Sequence, residues 1–420
     1  MSFVIYDLIF LALFLLAVVF FLHRGKKNVQ RQGIFFLYKT KWGIKIMDSF
    51  ANKNRKWLLP TRYAVIAVGY ALMATIIWMM IESVYIYLRF PVTEITKAPP
   101  IAPLIPYFPE LFGISSFFPP FYFTYFIIAV SIGGVIHEFS HGIFARLIKL
   151  KVGSTGFAFL GPFLGAFVEP DEKKMKKSKR VDQLAILGAG TFSNVAVAIF
   201  FAIIMWAFFA ANFAVAGVQI SGYSQVVLNA SEISLPENFN LSEELVEIES
   251  GGNVYLANPR LLQEALDKDV ERILVYENAP AVRAQLRGAI TEIDGKKIKN
   301  FEELSRVIKS HVPGENVLVK TAVKNGLFDT TPELEEKVLT LDEKNGVAFL
   351  GIGVGRQTRQ GFISSMWMFI HSGAGTLDFN LYYESKIGEF GWFLYYLLWW
   401  VFMINILLAL FNMLPLGILD

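Results

Sequence analysis

Two histidines four residues apart, in His137-Glu138-Phe139-Ser140-His141, form the string with the most chemistry in this sequence. On a helix, positions i and i+4 share a face, so both imidazoles can reach one metal ion. Glu138 follows the first histidine and can act as general base toward water activated by that metal. The 420 residues include no cysteine and only five histidines, so any metal must be held by His, Asp or Glu. Disulfides, thiolate zinc sites and cysteine nucleophiles are excluded together. A hydrolytic zinc site takes three protein ligands and leaves one position for water. His23, His311 and His371 lie on segments that do not approach the pair easily. Asp420 can approach it: it follows the last apolar run, and Pro415 and Gly417 break the helix just before it. The bland alternatives are a polar pair on a helix without metal, and an ordinary acid where the chain leaves a membrane.

The elements that must position these groups are apolar. Hydrophobic residues make up 54% of the chain and charged residues 18%, below the roughly 25% of soluble domains. The net charge of +3 is too small to point to nucleic acid. About 20 apolar residues cross a hydrocarbon core. Residues 3–22, Tyr63 to Ile81, Phe121 to Ile148, 184–211 and Trp392 to Leu414 each provide such a run. The first lacks a cleavage site and a preceding basic stretch, so it reads as an anchor and not a signal peptide. Phe362 to Ile370 is too short to span and reads as interfacial or re-entrant. The histidine pair lies inside the third run, where ionisable residues are costly and mark function. Glu138 stands eight residues before Arg146, or about 12 Å from that end of the run.

Orientation follows from lysine and arginine. Residues 24–62 hold eleven basic residues against the single acid Asp48, and residues 149–180 are rich in lysine. Both segments are expected on the cytoplasmic side, with the N-terminus and the insert 215–360 outside. The expected order is two N-terminal spans with a basic loop (1–90), an outside loop (91–120), core spans (121–214), the insert (215–360) and an interfacial segment with the last span (361–420).

The insert holds most of the acids. Asn278-Ala-Pro-Ala-Val, Leu286 to Gly295 and Phe301-Glu-Glu-Leu read as turn, strand with hairpin turn, and helix, with Asp294-Gly295 a strong two-residue hairpin signal. Pro313-Gly314 begins another turn, and Val317 to Val323 alternates as a strand. This order resembles a PDZ domain of the bacterial type, although Arg287-Gly288 stands where that family has Gly-Asp. Residues 222–275 match no PDZ element and are expected to form an additional lobe. Asn229-Ala-Ser231 and Asn240-Leu-Ser242 are glycosylation sequons, triplets that also occur often by chance.

His137-Glu-x-x-His141-Gly142, Gly161-Pro-Phe-Leu-Gly-Ala-Phe-Val-Glu169-Pro and Asn412-x-x-Pro415-x-x-x-Leu419-Asp420 together resemble the site-2 protease family of intramembrane zinc metalloproteases. The resemblance covers about residues 120–420. It implies that His137, His141 and Asp420 hold Zn2+, that Glu138 is the catalytic base, and that Asn412 steadies the substrate carbonyl or its oxyanion. The alternative for Asn412 is a helix-packing amide. The resemblance also makes Gly153 to Pro170 a membrane-associated β-hairpin beside the site. An edge there would bind an unwound substrate by strand addition, with donors alternating at Ala158 and Leu160 or at Phe157 and Phe159. Two departures stand out. The family has glycine after the aspartate, where this sequence stops, so it is either cut at the motif or further spans are lost. In Gly188-Ala-Gly-Thr-Phe-Ser-Asn194, Thr191 replaces the proline of the relatives' A-G-P-x-x-N, and small-residue packing is still expected.

The expectation is therefore a multi-span α-helical membrane protein with an extracytoplasmic α/β PDZ-like domain. Its activity would be zinc endoproteolysis of transmembrane segments of other proteins. The partners are such substrates and the lipid bilayer of the cell membrane, with no nucleic acid. A catalytically silent scaffold binding partner tails, or a metal transporter, are the competing classes. The intact Glu138 speaks against the first, and the lack of paired polar sites across several helices against the second.

Overall fold

A computed structural model describes residues 3–89, 104–108, 118–234, 240–268, 270–324, 326, 328–353 and 362–415. Among them, five helices are long and apolar enough to cross a membrane. They are α1 (Phe3–Arg24), α2 (Arg55–Arg89), α3 (Phe123–Leu147), α4 (Arg180–Asn212) and α5 (Glu389–Phe411). Each covers all or most of one of the apolar runs, because a helix satisfies its own backbone where water is absent. The chain divides into two compact units.

The first unit comprises Met1–Ala211, Phe362–Thr376 and Phe390–Asp420. Small residues let its helices approach closely: a Cβ on Gly133 of α3 would meet Asn405 and Leu408 of α5 at 3.0 Å, and one on Gly188 of α4 would meet Val65 of α2 at 3.2 Å. Val65, Phe144, Ala145, Leu147, Ala185 and Ala189 form the buried core where α2, α3 and α4 meet. The segment Phe362–His371 is a ten-residue helix, too short to span. Of the expected outside loop 91–120, residues 91–103 and 109–117 lie outside the described residues.

The basic segment after α1 is not a plain loop. It forms a hairpin of β1 (Val29–Gln32) and β2 (Phe35–Thr40), turning at Gly33 with φ 60°, and then a helix over Ile44–Lys53. Gly153 to Pro170 forms a second hairpin, β3 (Val152–Leu160) and β4 (Phe163–Pro170), turning at Gly161 with φ 57°. The two hairpins join into one antiparallel sheet in the order β1-β2-β3-β4. In it Phe36 pairs with Phe159 and Thr40 with Thr155. A Cβ on Gly156 would collide with the Tyr38 carbonyl, so the β2–β3 approach requires glycine there. This corrects the expected docking edge: Phe157, Ala158, Phe159 and Leu160 lie on an interior strand whose donors the sheet already uses. Of the two edge strands, β1 and β4, the one in this hairpin is β4.

The second unit comprises Asn212–Gly361 and Leu377–Glu389. It contains an antiparallel sheet running Glu333–Thr340, Asn316–Val323, Ala289–Ile293, Phe213–Gln219, Leu381–Ser385. Asp294 (φ 45°) and Gly295 (φ 79°) make the expected two-residue turn after Ile293. The helix Phe301–Lys309 covers the sheet through Leu304 and Ile308, which pack with Ile290, Ile293, Val317 and Val319. Strand Leu381–Ser385 returns to this unit from beyond the insert boundary of residue 360. Residues 225–277 build a separate four-stranded sheet with its own core of Val246, Ile248, Leu262, Ile273 and Val275, an additional lobe as expected.

Candidate metal centre

Helix α3 carries His137, Glu138 and His141. Its entry is fixed by an acid from another helix. Asp7 of α1 is 1% exposed and accepts from the backbone N–H groups of Phe123 at 2.7 Å and Thr124 at 2.9 Å. It also accepts from the Thr124 and Tyr107 hydroxyls, each at 2.5 Å. The two N–H groups are orphan donors of the first turn, where a carboxylate also meets the positive end of the helix. Toward its other end, α3 leans on Ile44–Lys53: Arg146 pairs with Asp48, and Met47 fills the space over Gly142.

The two imidazoles lie one turn apart, with ring centroids 4.7 Å apart, and both are buried. The position a Cβ on Gly190 of α4 would take lies 2.5 Å from Nε2 and from Cε1 of His137 and 2.5 Å from Nε2 of His141. The two donor nitrogens therefore share a hollow that exists because residue 190 has no side chain. Two imidazole nitrogens bordering one side-chain-free position fit the donor chemistry of a zinc site, for which His137 and His141 would be two of the ligands.

The far ring nitrogens are held as well. His141 Nδ1 is 2.6 Å from the Ile186 carbonyl, which can only accept, so Nδ1 carries the hydrogen and Nε2 keeps its lone pair. His137 Nδ1 lies 3.1 Å from the side-chain amide of Asn194, and its Nε2 lies 3.3 Å from the amide nitrogen of Asn412. Glu138 accepts from the backbone N–H of Val168 on β4 at 3.0 Å. Beside it is a cavity of about 20 Å³, lined by Thr40, Trp42, Phe157, Phe167 and Val168 among others. That is room for about one water molecule.

The antiparallel ladder dictates which β4 donors are spoken for. Leu160 pairs with Phe163 across a two-residue turn, so Phe163, Gly165 and Phe167 bond to β3. Leu164, Ala166 and Val168 then point their N–H groups to the open side, as the Val168–Glu138 bond requires. Lys39 on β2 reaches over β3 to Glu169 on β4 at 2.5 Å, and Ser154 also bonds Glu169. Burial alone would raise the Glu169 pKa, but these two bonds hold it below the usual glutamate value.

The structure thus brings His137, His141 and Asn412 together, with Glu138 on the same helix and bonded to Val168 of β4. Asp420 lies outside the described residues, and among those described no group of three or more His, Asp or Glu gathers to hold a metal. Sequence reasoning missed Asp7 and Ile186, and read Gly190 and Asn194, within the motif Gly188–Asn194, only as helix packing. Asp7 and Asn194 had a usable signal, being polar residues inside apolar runs. Gly190 had its place in that motif, and the Ile186 carbonyl had no signal.

The sequence model of peptidase family M50 matches residues 125–420, from the first turn of α3 onward. An uncharacterized protein of Methanocaldococcus jannaschii is 27% identical over 172 residues, 39% of this chain. The match spans 41% of that protein's length.

Proposed function

The chain belongs to peptidase family M50, and on that premise we propose that it is an intramembrane zinc endopeptidase cleaving transmembrane segments of other membrane proteins. The observation that carries this reading is the convergence of two histidine Nε2 atoms on the hollow over Gly190, with the Glu138 carboxylate on the same helix. Members of this family are zinc-dependent generally. His137 and His141 would hold the ion, and Asp420 would complete the set of three protein ligands. Zinc there would supply Lewis acidity, which makes water a nucleophile near neutral pH.

The remaining work falls to the chain's own groups. Glu138 takes the proton from the attacking water and returns it to the leaving amine. The Asn412 amide, on the same side of His137 as the hollow, donates to the carbonyl oxygen as it gains charge. The open edge of β4 pairs with an unwound stretch of substrate, whose carbonyls a helix would keep in hydrogen bonds. The same reading puts the basic segments 24–62 and 149–180 on the cytoplasmic side of the cell membrane. It puts the second unit, including a PDZ-like module, outside.

Zinc content and peptide-bond cleavage of a transmembrane substrate, measured on purified protein, test the proposal. Wild type should hold one zinc and cleave; Glu138→Gln should hold zinc and not cleave. A wild type without zinc, or cleavage by Glu138→Gln at the wild-type rate, would reject the assignment. Zinc without any cleavage would favour the silent scaffold.

A further inference from the structure

Helix α4 faces the two imidazoles with three positions spaced by four residues: Ile186, Gly190 and Asn194. One turn of helix separates each from the next, so all three lie on one face. The first offers its carbonyl to His141 Nδ1, and the second leaves the hollow open to both Nε2 atoms. The third, Asn194, is fully buried, with its amide nitrogen 3.1 Å from His137 Nδ1. Its Oδ1 is buried and has no hydrogen-bond partner. The two ends of a side-chain amide are nearly the same shape, so a half-turn keeps the 3.1 Å contact and brings the oxygen to the ring.

We propose that Asn194 is the positioning residue for His137: its Oδ1 accepts the Nδ1–H of the zinc-loaded ring, which leaves the Nε2 lone pair facing the hollow over Gly190. The inference rests on the zinc reading above. The half-turn exchanges which end of the amide is paired, so what selects the orientation is the ring's need for an acceptor. That orientation gives His137 what the Ile186 carbonyl gives His141, since a ligating imidazole needs an acceptor for its other nitrogen to fix tautomer and tilt. One face of α4 thus supplies an acceptor, a gap and an acceptor, in register with the two histidines of α3.

The test measures the zinc dissociation constant, by chelator competition, for full-length wild type, N194L and N194D, with thermal stability alongside. Loss of an outer acceptor typically weakens metal binding about 10–100-fold, and that is expected for N194L. In N194D the carboxylate still accepts from Nδ1–H, so affinity should return to within a few-fold of wild type. An amide that only packs helices would leave zinc affinity untouched in N194L, or weakened equally in both variants, and either result overturns the proposal. Nitrogen NMR of labelled histidine in zinc-loaded wild type needs no variant to fold. Protonated Nδ1 on His137 is expected, and unprotonated Nδ1 overturns the inference. Wild type that takes up no zinc would sink the zinc reading and this inference together. Tight zinc in both wild type and N194L would sink this inference alone.

Discussion

Asp7 on the first helix accepts the backbone N–H of Thr124, 117 residues later, at 2.9 Å. The helix bearing the histidine pair is therefore capped by a different span and not by its own sequence, since Tyr122 at its N-cap position offers no side-chain cap. Removing a capping acid costs about 0.5–2 kcal/mol, and more where a buried donor is left unsatisfied. Asp7→Ala should lower the thermal midpoint of the purified protein by several degrees, with Asp7→Asn between it and wild type. Equal midpoints for Asp7→Ala and wild type would mean that the cap contributes nothing.

Gly190→Ala separates the metal from the fold. Alanine is the better helix former by about 1 kcal/mol, so α4 itself gains. The added Cβ would stand 2.5 Å from both histidine Nε2 atoms, in the space they share. Zinc content is expected to fall below about a tenth of wild type, with helical signal retained and the thermal midpoint of the metal-free protein lowered only by the degrees that overpacking of about 1–3 kcal/mol costs. Stoichiometric zinc in Gly190→Ala would show that the ion lies elsewhere.

Proline on β4 distinguishes the open edge from the paired one. Ala166 points its N–H to the open side, so Ala166→Pro should abolish cleavage of a transmembrane substrate while zinc and stability hold. Gly165→Pro removes a bond to β3 and should destabilise the sheet instead. Unimpaired turnover in Ala166→Pro would rule out strand addition at this edge.

The second unit has its own pH signature. Burial pushes the Lys324 ammonium down from 10.5 to about 8, against the opposing pull of Asp329. Below pH 8 this lysine is protonated in both folded and unfolded chains, and the cost of burying the charge is felt in full. Between about 8 and 10.5 the unfolded chain binds the extra proton, so stability rises with pH, by up to about 3 kcal/mol. Lys324→Met should flatten that rise and stabilise the unit at pH 7. Unfolding curves of the full chain at pH 7 and pH 10 would show it; the same rise in the variant would assign it to another group.

What the sequence made legible was what local chemistry writes locally. Runs of about 20 apolar residues became helices, the spacing of His137 and His141 gave a shared face, and Asp294-Gly295 gave its turn. Pairings across long separations left no such trace. Phe36 meets Phe159, and Leu381 meets Val218, through register alone, with no residue type that announces either partner. The hairpin of β1 and β2 was hidden further by its charges, which read as a positive-inside loop. Asn194 stood in plain view inside an apolar run, but its small neighbours suggested packing, and its contact with His137 depends on how α4 is rotated.

The sequence match to the family begins at residue 125, two residues after α3 starts and beyond both Asp7 and the β1–β2 hairpin. A fragment cut at that border would retain every proposed ligand and the base. It would also begin with free N–H groups on the helix that holds them, and with a row of unpaired backbone groups along β3. In lipid each such group costs several kcal/mol, and in water an open strand recruits other chains. The stretch that similarity recognises is thus smaller than the stretch that caps α3 and closes the sheet, although no proposed ligand lies in the earlier residues.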